Sequence, residues 1–141
     1  MRIADVLRRK GTDVVTVTTA DTVGEVLRLF AENNLGALPV VDGMHLVGIV
    51  SERDVVRHLH GRGAELLSSR VADVMTADVV TCSPDDAAAD LARVMTDRRV
   101  RHLPVVIDGA LAGIVSIGDL VKVRIDMLEQ EREQLESYIA Q

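Results

Sequence analysis

The chain repeats itself, and this constrains its fold more than any other feature. Leu38-Pro39-Val40-Val41 recurs as Leu103-Pro104-Val105-Val106, and Gly48-Ile49-Val50-Ser51 recurs as Gly113-Ile114-Val115-Ser116, each 65 residues later. Asp13-Val14-Val15-Thr16 and Asp78-Val79-Val80-Thr81 keep the same offset. Farther upstream, Ala4-Asp5-Val6 matches Ala72-Asp73-Val74 at an offset of 68, so the first copy carries three extra residues around Lys10-Gly11-Thr12, read here as a loop. A copy of about 60 residues is marginal alone, because so short a chain buries too small a share of its surface. Units that cannot cover their own apolar face pack on one another. The 141 residues are therefore expected to form one module of two half-modules, residues 1–62 and 71–125, joined by a linker at 63–70.

Within a copy the apolar spacing predicts the elements. Val14-Val15-Thr16-Val17 reads as a short β-branched strand, and Asp21 opens a helix whose Val23, Val26, Leu27 and Phe30 fall at i, i+3, i+4 and i+7, ending near Asn33-Asn34. Ala37–Val41 and Leu46–Val50 read as strands joined by a turn at Asp42-Gly43, and a second helix follows from Asp54. In the second copy Ser83-Pro84-Asp85-Asp86 reads as a helix start, with a capping Ser, Pro in the first turn and acids at the positive end of the dipole. The expected fold is α/β (α+β): β-α-β-β-α twice, packed about a pseudo-two-fold axis. Beyond it, residues 126–141 extend the last helix, since no Gly or Pro occurs from Asp119 to Gln141. Val121, Ile125, Leu128, Leu135 and Ile139 form an apolar stripe broken once by Arg132, with Glu129, Glu131, Glu133 and Glu136 on the wet side. That stripe is expected to pack across a homodimer interface.

Composition narrows the function. Hydrophobic residues make up 48% of the chain, but aromatics only 1%, Phe30 and Tyr138, so both core and any ligand pocket must be aliphatic. A net charge of −6 with 16 scattered basic residues argues against a nucleic-acid surface. The lone Cys82 cannot form an intramolecular disulfide and fits a reducing compartment, the cytoplasm; it reads as a small apolar residue rather than a nucleophile. No run approaches the length of a membrane span, and the first residues lack the apolar core of a leader. His58 and His60, two apart on a helix, face different ways and suit a metal poorly. With no catalytic Ser/His/Asp or Cys/His arrangement in view, an enzyme is not expected.

The chemistry concentrates in Ser51-Glu52-Arg53-Asp54 and Ser116-Ile117-Gly118-Asp119, each leading a strand into a helix. Two readings compete. Ser with an acid three residues on is a capping box that satisfies free N–H groups at a helix start. The same hydroxyl and carboxylate can also grip a vicinal diol such as the ribose 2′- and 3′-hydroxyls, the preceding Gly letting a ligand come close.

The pair of repeats, each with a Leu-Pro-Val-Val strand, a hairpin and Gly-Ile-Val-Ser-x-x-Asp entering a helix, resembles a tandem CBS domain pair, or Bateman module, over about residues 4–59 and 72–124. The resemblance implies a non-catalytic regulatory module holding an adenine nucleotide in the cleft between repeats and signalling to a partner protein. It implies ribose contacts at Ser51, Asp54, Ser116 and Asp119. It places the base against Val15, Thr16, Val17, Leu38 and Pro39, or against Val80, Thr81, Cys82, Leu103 and Pro104, and phosphate near Arg53, Arg101 and His102. Arg98 and Arg99 read instead as a solvated helix end. No cofactor is required; AMP, ADP, ATP, NAD and S-adenosylmethionine are the regulatory ligands to be distinguished. Inosine monophosphate dehydrogenase carries such a pair as an insert, but its barrel of about 250 residues has no room here. The competing function is a ligand-independent homodimeric scaffold in which Ser-x-x-Asp only caps helices.

Overall fold

The structure is a computed structural model that describes residues 1–140; Gln141, the end of the expected helix, lies outside the described residues. The first repeat contributes helix α1 (Ile3–Lys10), α2 (Val23–Asn33), strands β1 (Ala37–Asp42) and β2 (His45–Ser51), and α3 (Glu52–Arg62). A 3-10 turn (Gly63–Ser68) leads to the second, with α4 (Val71–Val74), α5 (Ala88–Arg98), β3 (His102–Ile107), β4 (Ala110–Ser116) and α6 (Ile117–Ala140). Among the described residues, no helix is long and apolar enough to cross a membrane.

The two hairpins are built alike. β1 pairs antiparallel with β2 and β3 with β4, each with its register shifted at the same place, between Val40 and Val41 and between Val105 and Val106. Both turns need left-handed backbone: φ is +63° at Gly43 in the first, and +52° and +79° at Asp108 and Gly109 in the second. The turn thus lies one residue beyond the Asp42-Gly43 expected. The hairpins meet at their turn ends through His45 and Ala110, giving one sheet of order β1-β2-β4-β3. Pro39 and Pro104 sit on its outer strands, where a missing N–H is tolerated.

The expected first strand of each repeat shrinks to a single parallel bridge, Val17 to Val40 and Cys82 to Val105. The chain leaves the sheet at once because Thr18–Asp21 and Ser83–Asp86 close turns of their own, with Thr18 N–H on Asp21 Oδ2 and Ser83 N–H on Asp86 Oδ2, both at 2.8 Å. Ser83-Pro84-Asp85-Asp86 is therefore a turn and not a helix start: α5 begins at Ala88, after an Ala87 that has no side-chain cap. Its first N–H donates instead to the Met1 carbonyl, as that of Val23 in α2 donates to Ser69.

These bonds reveal a crossing that local periodicity does not specify. Ile3 and Ala4 N–H donate to Asp86 and Pro84 in the second repeat, while Val71 and Ala72 N–H donate to Asp21 and Thr19 in the first. Each repeat's opening helix thus packs on the other repeat. Buried Ile3, Val6 and Leu7 complete a core with Leu91, Leu103, Val115 and Leu120; buried Val71 and Val74 complete one with Val26, Phe30, Leu38 and Val50. Gly48 and Gly113 have a role in this crossing: a Cβ at Gly48 would come within 2.7 Å of Met75 Sδ, and one at Gly113 within 2.9 Å of Leu7 Cδ2. The space that sequence reasoning kept for a ligand is filled by the opposite repeat.

The insertion around Lys10-Gly11-Thr12 is not simply a loop. α4 ends at Val74, whereas α1 continues through Lys10 and turns away only at Gly11, with φ +100°. α1 is thus four residues longer than α4, one full helical turn. At the other end, α6 buries Leu120 and Val123 against the second core and exposes Val121, Ile125, Leu128, Leu135 and Ile139.

Candidate functional site

Both strand-to-helix turns form the capping box. Ser51 N–H donates to Asp54 Oδ2 at 2.9 Å, and Asp54 N–H donates back to Ser51 Oγ at 3.3 Å. Ser116 and Asp119 make the same pair at 2.8 and 3.1 Å. What differs is the remaining partner of each carboxylate. Asp54, 8% exposed, receives the Thr76 hydroxyl on Oδ1 at 3.1 Å and makes no ion pair among the described residues. Asp119 receives the Lys10 ammonium on Oδ2 at 2.6 Å, and the same ammonium donates to the Ile114 carbonyl at 2.7 Å. Burial alone would raise the Asp119 pKa, but hydrogen bonds from Lys10 and the Ser116 N–H outweigh it and hold the carboxyl below its ordinary value.

A cleft of about 630 Å³ opens between the repeats beside the first turn. Ser51, Arg53 and Asp54 line it from the first repeat, and Val80, Arg101, His102 and Ser116 from the second. Its apolar wall consists of Ile49, Val79, Val80, Val100 and Ile117, which suits a flat base in the absence of aromatics. Five guanidinium groups, from Arg53, Arg57, Arg98, Arg99 and Arg101, share the cleft with the acids Glu52, Asp54 and Asp78. In a chain of net charge −6 this is a local reversal of sign, with a planar fork geometry suited to phosphate oxygens. Arg53 Nη1 donates to the Arg99 carbonyl at 3.2 Å, tying α3 to the end of α5. Burial first, then the charges of Arg101 and Lys10, lower the His102 pKa, so the ring stays neutral at pH 7.

The other sequence-predicted positions lie elsewhere. Val17, Leu38, Cys82 and Leu103 are core residues, at most 4% exposed, and Pro39 and Pro104 are buried with them. Main-chain groups at these positions are already used: the Pro39 carbonyl accepts from Val17 N–H and the Pro104 carbonyl from Cys82 N–H. Val15 and Thr16 are half-buried and Thr81 is exposed, and none of the three lines the 630 Å³ cleft; nor does Asp119. Burial, with the Asp86 carboxylate nearby, pushes the Cys82 thiol up to about 12, in keeping with its reading as an apolar residue.

Sequence reasoning missed Thr76, Arg57 and Asp78, and it placed Arg98 and Arg99 in solvent. These two do end α5, but Arg99 adopts a left-handed φ of +55° and both line the cleft. The signal was Asn34, the equivalent of Arg99, with φ +52° at the end of α2. Lys10 was missed because the insertion was read as a loop. His58 donates from Nδ1 to the Asp54 carbonyl at 2.8 Å, one turn back on its own helix.

Comparison with known proteins agrees with this architecture. The model of the CBS domain family matches twice, over residues 3–61 and 71–126. The chain is 35% identical over 146 residues to the CBS domain-containing protein CBSX3, mitochondrial, of Arabidopsis thaliana, covering 97% of this chain and 71% of that protein. The crystal structure of ATU1752 from Agrobacterium tumefaciens superposes with a TM-score of 0.84 at 42% identity, covering 88% of this chain and 99% of that one. CBSX2, solved in complex with AMP, superposes with a TM-score of 0.74 at 28% identity, covering 89% and 97%. With two matched repeats, a crossed pair of cores and a cleft between them, the chain belongs to the CBS domain family as a tandem pair.

Proposed function

We propose that this chain is a non-catalytic sensor that binds an adenine nucleotide in the cleft between its repeats. The observation that carries the reading is the meeting, in one cleft, of the Ser51–Asp54 turn, an aliphatic wall and five arginines. The complex of the related CBSX2 with AMP supports the ligand class. In this reading the Asp54 carboxylate accepts the ribose hydroxyls, Thr76 yielding its place, and the base lies against Val79, Val80 and Ile49. Arg53, Arg101 and neighbouring arginines take the phosphate, and the neutral His102 ring can either donate or accept. Because the cleft is made by both repeats, a ligand that prefers one arrangement of them shifts the module toward it, and a partner protein reads the shift. The exposed stripe of α6 pairs two copies in this proposal, and the free thiol fits the cytoplasm. A mass in light scattering that stays monomeric at every concentration would remove the dimer.

The test is calorimetric titration of nucleotide-free protein with AMP, ADP, ATP, NAD and S-adenosylmethionine, repeated on Asp54→Ala. At least one ligand is expected to bind the parent protein and lose most of its affinity for the variant. No heat from any of the five would sink the reading. One observation favours the scaffold alternative: both capping boxes are complete without a ligand. Under that reading Asp54→Ala loses only stability.

A further inference from the structure

We propose that Lys10 closes the second of the two pseudo-equivalent clefts, so that the chain takes one nucleotide and not two. The proposal rests on the nucleotide reading above and assigns to the extra turn of α1 a role in setting stoichiometry.

The duplication offers two Ser-x-x-Asp turns whose capping bonds are alike and whose middle residues differ, Glu52-Arg53 in the first and Ile117-Gly118 in the second. What each carboxylate meets is set by the opposite repeat. Because the opening helices are crossed, the residues after α4 reach the first turn and those at the end of α1 reach the second. After α4 the chain presents Thr76, whose hydroxyl meets Asp54 Oδ1 at 3.1 Å. A hydroxyl is neutral, rotates, and makes the same kind of bond that a ribose hydroxyl would make, so exchange between them is close to even. At the end of α1 the chain presents Lys10, whose ammonium is bound to Asp119 Oδ2 at 2.6 Å and to the Ile114 carbonyl at 2.7 Å.

Replacing that ammonium by a neutral diol would exchange an ion pair for hydrogen bonds in which only the acceptor is charged, and would leave the Ile114 carbonyl without its donor. Both side chains are about three-quarters buried, 27% and 25% exposed, so water screens the pair less than it would at the surface. Lys10 acts as a positioning and blocking group.

The experiment is calorimetry with AMP on the full chain, comparing the parent with Lys10→Ala, Lys10→Met and Lys10→Ala/Asp119→Ala. Lys10→Met keeps most of the apolar stem, so one variant is still folded if the other is not, as melting checks. The parent should take one AMP per chain and each single variant two, the second site weaker. The double variant should return to one. Amide shifts on AMP addition should reach Val15, the equivalent of Val80 and outside the 630 Å³ cleft, only in the single variants. A parent that already takes two, or single variants that still take one, would overturn the closure while leaving the nucleotide reading intact. No binding to the parent or to either single variant would overturn both.

Discussion

The Ser51–Asp54 and Ser116–Asp119 turns close the same capping box at nearly the same distances, yet one carboxylate faces a hydroxyl and the other an ammonium. The sequences of the motifs do not cause this difference. It comes from the length of a helix more than a hundred residues away in the chain, since Lys10 and Asp119 are 109 residues apart. In a duplicated protein with crossed elements, a short insertion in one copy changes the site of the other. Divergence of function between repeats is then to be sought in what each lends its neighbour.

Four measurements would break or sharpen this comparison. The largest effect concerns what the repeats share. Leu38 and Leu103 are equivalent and fully buried, so Leu38→Ala and Leu103→Ala should each cost about 2–5 kcal/mol in urea unfolding, and by similar amounts. A wide gap would show that the two cores are not equivalent. Next comes what they do not share. Asp54→Ala should weaken AMP binding by about 10- to 100-fold, the equivalent of roughly 1.5–3 kcal/mol for a hydrogen bond to a charged group, while Asp119→Ala changes it by less than about threefold. Both variants lose a capping box, so equal losses of affinity would erase the proposed inequality.

Smaller effects follow at the caps. Ser51→Ala and Ser116→Ala should each lose about 1 kcal/mol of stability, and Ser51→Ala, next to Asp54, should weaken AMP more than Ser116→Ala. Stability lost with no ligand effect from either would favour the scaffold. The smallest effect is electrostatic. Asp119 has its pKa lowered in the folded state, so its contribution is fully present above the unfolded value near 4 and disappears as pH falls through the folded value. Lys10→Ala should cost at most about 1 kcal/mol at pH 7, the pair being partly exposed, and its melting curve should converge with the parent's in acid. Parallel curves down to the lowest pH would show that Lys10 does not set the Asp119 carboxyl.

How much of this was legible follows the range of the interactions. The hairpins, the Leu-Pro strands, α2 and the Ser-x-x-Asp turns are local patterns and could be read directly. The helix start in the second copy was misjudged because Ser83 and Asp86 spend their polar groups on a turn, leaving α5 to be capped by Met1 from far away. The opening helices had a signal, Ile3-Val6-Leu7 matched by Val71-Val74-Met75, but one turn of apolar spacing does not say which repeat it will cover. The same limit applies to the site. Ser51, Arg53 and Asp54 were found because they are neighbours in the chain. Thr76 and Lys10 escaped because they reach the motifs only through the crossing.

The crossing also orders events during synthesis. As the chain emerges, the first repeat has all its own strands yet lacks Val71 and Val74, so its core can close only when the start of the second repeat has followed it out. The second repeat's missing helix, by contrast, is made before both hairpins and must keep Ile3, Val6 and Leu7 available until β4 is made, over a separation of about 104 residues between Lys10 and Ile114. Closing so long a loop is slow, and the waiting surface is apolar. A fusion or tag that ties down the first few residues would therefore damage the far half of the molecule, the one to which they are not adjacent in sequence.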